Sequence, residues 1–137
     1  MKWEKAPEIQ AEVARLVEQL FGGVDVKRVI AFRSYGSSSR AVARIWGLPK
    51  IWQQALGVEA HYCLEVLSEK FDKRSKEERQ RILIHELMHI PKNFSGALLP
   101  HRSRGRAINN RSVEQIFKKL RPPSFWGGVK RRLQNQE

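Results

Sequence analysis

Apolar positions recur along this chain with two periods. Residues 7–20 (PEIQAEVARLVEQL) place Ile9, Val13, Leu16, Val17 and Leu20 at helical spacing, open on Pro7 and run into Phe21-Gly22-Gly23, which predicts a first, purely packing helix. Residues 26–33 (VKRVIAFR) alternate instead, with Val26, Ile30 and Phe32 on one side and Lys27 and Arg33 on the other, as a strand would. The turn-rich SYGSSSR then leads into a second strand at 41–46 (AVARIW), and the two are expected to pair as a hairpin with a long loop. Gly47-Leu48-Pro49 opens a short helical turn through Trp52 and Leu56, stopped by Gly57. Trp46 and Trp52 read as core or wall residues. A third strand follows at 60–67, with Ala60, Tyr62, Leu64 and Val66 facing one way and His61, Cys63 and Glu65 the other, the latter read as packing or surface residues.

The segment from Lys76 to Ile90 returns to helical character. Ser75 and Glu78 form an S-x-x-E capping box, Glu77 adds negative charge to the first turn, and Pro91 marks the stop. Leu83, Leu87 and Ile90 share one side with Ile84 and Met88 beside them, while Ile82 falls next to the histidines, so the helix is central and buried. Gly96 and two prolines break the chain after it, which must turn back. A last helix spans roughly 108–120, with Val113, Ile116, Phe117 and Leu120 as its stripe, before Pro122-Pro123. Strands and helices in this order predict an α+β domain over residues 1–121. Residues 122–137 are expected to form a basic C-terminal tail, partly mobile, with only Phe125 and Trp126 to pack.

The central helix also carries chemistry. His85, Glu86 and His89 spell H-E-x-x-H, and two histidines one turn apart lie on one helix face where both can reach one ion. Glu86 sits about 100° round the axis from His85, near enough to hold a water on that ion without being a ligand. A catalytic zinc takes three protein ligands and leaves a fourth position open. Two candidates remain for the third: His101, twelve residues after His89 on the reversing loop, and Glu114, 25 residues after it on the last helix. His101 is preferred, since Glu114 stands among arginines with which it can form salt bridges. The longer pattern H-E-x-x-H-x-x-G-x-x-H fails, because position 95 is serine. Imidazole-rich, carboxylate-poor ligation favours Zn²⁺ over magnesium or calcium.

Bulk composition narrows the setting. At 137 residues, 41% hydrophobic and 29% charged, the chain is a single globular domain rather than a disordered one. There is no apolar run near 18 residues and no signal-peptide core, so no membrane partner is expected. Cys63 is the one cysteine, which excludes a disulfide framework or a cysteine zinc site and fits a reducing, cytoplasmic compartment. The net charge of +12 is uneven: from His101 onward ten Lys and Arg face only Glu114 and Glu137. Such a basic third could bind nucleic acid non-specifically or serve as a solvated face.

HELMHIPKNFSGALLPH resembles the signature of small metallopeptidases found in phages, archaea and bacteria, in which H-E-L-x-H-I-P precedes a glycine-containing loop and P-H. The preceding YCLEVLSEKFDKRSKEERQRILI resembles the strand and helix entrance of the same family, and the likeness covers about residues 40–120. More distantly the chain is similar to SprT-like proteases and minigluzincins. The resemblance implies a small zincin-like domain, with an N-terminal helix, a mainly antiparallel sheet of about three strands on the motif helix, and a C-terminal helix. It implies His85, His89 and His101 as zinc ligands and Glu86 as catalytic base. The glutamate-helix pattern N-E-x-x-x-D of thermolysin-like enzymes is missing, Asn110 and Glu114 being spaced differently.

The expected function is therefore zinc-dependent hydrolysis of peptide bonds in a peptide or protein substrate. Tyr62, Arg102 and Tyr35 are candidate oxyanion donors, and the substrate could add to an exposed edge of the third strand. One alternative is a SprT-like protease recruited to DNA by the basic surface. Another is a non-enzymatic nucleic-acid-binding protein with a structural metal site, which a closed shell including Glu114 would favour.

Overall fold

The computed structural model describes residues 1–103 and 105–121; Arg104 and the expected tail at 122–137, with Phe125 and Trp126, lie outside the described residues. Its elements are β1 (Lys2–Lys5), α1 (Pro7–Leu20), β2 (Val29–Tyr35), β3 (Ala43–Gly47), α2 (Lys50–Leu56), β4 (Tyr62–Leu67), α3 (Ser68–Phe71), α4 (Lys76–Met88), β5 (Arg102–Ser103), β6 (Arg106–Ala107) and α5 (Asn110–Phe117). A 3₁₀ turn over Val26–Arg28 leads into β2, where the sequence alone suggested continuous strand. The fold is α+β, as the pattern predicted.

The sheet differs from the expected three strands. Its order is β1-β2-β4-β3, mixed, with β2 and β4 parallel and the two outer pairs antiparallel. β1 was not anticipated because all four residues of KWEK are exposed, so the strand carries no apolar alternation. The expected hairpin between β2 and β3 does not form, because β4 inserts between them. The reason is burial: Tyr62, Leu64 and Val66 are sealed on one face and Glu65 is equally sealed on the other. A strand buried on both faces belongs in the middle of a sheet. Segment 36–42 is long enough to step over it, and the Leu67 N–H bonds Val42 O at 2.9 Å as β3 begins. The strand expected third is thus central, and among the described residues the outer edges of β1 and β3 are unpaired.

The helices cover one face, where Ile9, Val13 and Leu16 of α1 and Leu83, Ile84 and Leu87 of α4 join Val29, Ala31, Tyr62 and Leu64 in one apolar cluster. β2 presents to that side the opposite set from the one expected, Val29 and Ala31 rather than Ile30 and Phe32. Two local causes are visible. Gln10 of α1 bonds the backbone of both Val29 and Ala31 at 2.8 Å, and Arg33 reaches Glu8 and Asp72 on the same side. Trp46 and Trp52 are half exposed, not core.

α4 begins where expected, with the Ser75 hydroxyl accepting from the Glu78 N–H at 3.1 Å, and ends two residues early at Met88. The edge strand β3 is held to the sheet by Glu65, whose carboxylate accepts from Arg44 at 2.7 and 3.2 Å and from the Trp46 indole at 2.9 Å. Burial alone would raise the Glu65 carboxyl, but these donors outweigh it and hold the group below the usual range. Glu65→Gln should cost about 1.5–3 kcal/mol, the worth of hydrogen bonds to a charged group, measured by urea unfolding.

Candidate metal centre

α4 delivers the first two histidines and the chain behind it delivers the third. His85 and His89 sit one turn apart, with ring centroids 5.2 Å from each other. After Met88 the chain turns through Pro91 and a left-handed Phe94 (φ 48°) and returns, so that Leu99 meets the end of the helix. There the Leu99 N–H bonds His89 O at 2.7 Å, and the His89 ring bonds Leu99 O at 2.5 Å through Nδ1. A carbonyl can only accept, so Nδ1 carries the proton and Nε2 is left with a free lone pair. His101 follows two residues later, its carbonyl taking the Ile108 N–H at 2.8 Å. The short β5–β6 hairpin and the Asn109–Ser112 capping box of α5 complete that side.

Ligand atoms of His85, His89 and His101 all lie within 4.8 Å of one another. His85 Nε2 and His101 Nε2 are 3.2 Å apart. Two nitrogens bound to one tetrahedral zinc at its usual bond length stand about 3.3 Å apart, so this pair already fits. His89 is buried, His85 half-buried and His101 exposed, which leaves the cluster open to solvent on one side. Three imidazoles and an open side match the donor set of a catalytic zinc.

Glu114, the rival third ligand, is not in this cluster. Its carboxylate accepts from Arg81 Nε at 2.8 Å, and the Arg81 guanidinium lies 4.3 Å from the Phe117 ring centre, along the α4–α5 seam. Two of the candidate oxyanion donors are also engaged elsewhere. The Tyr62 hydroxyl bonds Gly96 and Ala97, and Tyr35 donates to Glu4. Arg102 is exposed, next to His101.

Glu86 lies beside the cluster with one oxygen 3.9 Å from His85 Nε2. Burial pushes its carboxyl up to about 7. Burial, and then the neighbouring His89 and His101, push His85 down to about 4. Both groups are therefore neutral between those values in the metal-free chain, and their contact is not an ion pair. A cleft of about 300 Å³ opens alongside, walled by Val42, Ala43, Ile82 and Val113 and ended by Asn110, Arg81 and Glu114. The sequence reading placed Ile82 next to the histidines but had no signal for Val42 and Ala43, which arrive from the edge strand.

A family model described as "Putative phage metallopeptidase" matches residues 1–136 of the chain. Neither the curated proteins nor the solved structures provide a match.

The opposed shifts predict an unusual acid profile for the metal-free chain. A lowered histidine withdraws stability as pH falls from 6.5 towards 4, whereas a raised carboxyl withdraws it as pH rises from 4.5 through 7. The two contributions oppose each other in one window and should nearly cancel. With chelator present, Glu86→Gln should make stability fall on acidification across that window more steeply than in the parent, as read by urea midpoints at several pH values.

Proposed function

The chain belongs to the phage metallopeptidase family, and from that premise we propose that it hydrolyses peptide bonds with a zinc ion held by His85, His89 and His101. The observation that carries this reading is the convergence of three imidazoles beside a half-buried glutamate. When bound, zinc supplies Lewis acidity, lowering the pKa of water towards about 7 and polarising a carbonyl oxygen.

Glu86 is the general base of this mechanism. Burial raises its proton affinity, and a dication beside it lowers that affinity again, so its carboxylate suits proton transfer near neutral pH. It takes the proton of the attacking water and passes it to the leaving amine. The helix holds its carboxylate 3.9 Å from His85 Nε2, on the side where a water on the ion would be held.

The outer edge of β3 offers the substrate a place to lie. Among the described residues no strand pairs with that edge, and Val42 and Ala43 lead from it into the cleft beside Glu86. An extended peptide adding to β3 would satisfy its backbone and direct one side chain into the cleft. This replaces the third strand as the proposed docking edge.

Glu86→Gln should retain zinc while cleaving peptides roughly 10²–10⁴-fold more slowly. Zinc content by elemental analysis and hydrolysis of a peptide library check the two halves. A variant that cuts as fast as the parent removes Glu86 from the mechanism. His101→Ala should lose both zinc and activity.

One observation favours a nucleic-acid partner for the same enzyme. Arg102 and Arg106 of the hairpin and Arg111 of α5 are exposed beside the site, and among the described residues none has an acidic partner. Cations left unpaired on one side support recruitment to DNA or RNA. Binding to a random-sequence oligonucleotide should then fall steeply with added salt, and replacing Arg102 and Arg106 by glutamine should flatten the slope. Binding that is absent at low salt would dismiss this partner.

A further inference from the structure

We infer that Tyr62 and Gln53, residues outside the histidine cluster, are positioning residues that preassemble the metal centre by clamping the loop that delivers His101. The inference rests on the zinc reading above and assigns work to a strand and a helix that it leaves unused.

The loop from Ser95 to His101 contains no helix or strand, and the Ala97 N–H bonding Ser95 Oγ at 3.3 Å does little by itself to fix its path. What fixes it is a set of bonds from outside. Tyr62 is fully buried on the central strand, and its hydroxyl serves the main chain of two successive residues, accepting from the Gly96 N–H and donating to Ala97 O, each at 2.8 Å. Its ring meets Phe94 edge-on at 4.9 Å. Gln53, the one buried residue of α2, donates from a single amide nitrogen to Leu48 O at 2.8 Å and Ser95 O at 2.9 Å. The remainder of α2 is largely exposed, including Ile51, Trp52 and Leu56, so packing explains little of that helix. Holding the loop does.

Two glycines confirm how closely these parts meet. A Cβ at Gly47 would lie 2.1 Å from Gly96 O. One at Gly96, which has φ +94°, would lie 2.3 Å from Gln53 Nε2 and 2.4 Å from Leu48 O. β3, α2 and β4 therefore converge on residues 95–97 with no space to spare. From there Pro100 stiffens the short path to His101, and the Leu99 clasp aims His89. Two of the three imidazoles thus depend on one loop, and the clamp spends its ordering entropy during folding rather than at metal binding.

The test uses the full chain, with zinc alone as probe. Tyr62→Phe keeps the ring and removes the hydroxyl; Gln53→Met keeps the bulk and removes the amide. Val13→Ala, in the α1 core, is the control for general destabilisation. In the metal-free chain both clamp variants should exchange the Gly96 and Leu99 amides at least tenfold faster, seen by NMR. Each should also weaken zinc about 10–100-fold in chelator competition, the range for residues that orient ligands. Val13→Ala should lower the unfolding midpoint and leave zinc affinity near the parent's. The inference is overturned if the clamp variants bind zinc like the parent, or if Val13→Ala weakens zinc as much as they do. A parent chain that binds no zinc would bring down the reading of the site and the clamp with it. That outcome is distinguishable, because in the other two the parent binds.

Discussion

The double hydrogen bond between His89 and Leu99 is the constraint on which this site depends. It joins the end of α4 to a loop ten residues further on, and does so through both the backbone and the ring of one histidine. The backbone half closes the loop. The ring half settles which nitrogen is protonated, and so which lone pair faces His85 and His101. Without it His85 and His89 would still share a helix face, but the loop that carries the third imidazole would lose its tie to the end of that helix.

Two glutamates, one buried and one half-buried, show how differently one fold treats the same group. Glu65 and Glu86 both lose solvent on folding. Glu65 receives donors from Arg44 and Trp46 and stays ionised, so it acts as a tie between β3 and β4. Glu86 stands 3.9 Å from His85, itself neutral between about 4 and 7, and burial raises its carboxyl to about 7. One is satisfied by donors; the other keeps its raised carboxyl, as the proposed base would need. The edge strand that Glu65 ties to β4 also contributes Ala43 to the cleft that Glu86 borders.

Much of this was legible from residue order because it is local. The bounds of α1 follow from Pro7, the spacing of Ile9 to Leu20 and the glycines behind them, and they hold to the residue. The start of α4 follows from Ser75 and Glu78. His85 and His89 share a face because of helix geometry alone. The strand partners were not legible. β2 and β3 each look like half of a hairpin, and only the two-sided burial of β4 shows why it lies between them. The inward face of β2 was misjudged because larger side chains suggested the core, whereas Gln10 of α1 bonds the β2 backbone at Val29 and Ala31, and Arg33 of β2 reaches Glu8 of α1 and Asp72 at the end of α3 on that same side.

The sequence by itself determined α1, the start of α4, the α+β class and the pair of histidines one turn apart, since each rests largely on local patterns; the short α3 (Ser68–Phe71) was not anticipated, and α5 is shorter than the 108–120 expected. It left His101 and Glu114 as the two candidates for the third position without physical means to bring either one near. Tertiary structure brings His101, not Glu114, to the other two imidazoles, pairing Glu114 with Arg81 and fastening the returning loop to Tyr62, Gln53 and His89. Those bonds are made largely to main-chain groups, which every residue carries, and so they leave no mark in the order of side chains.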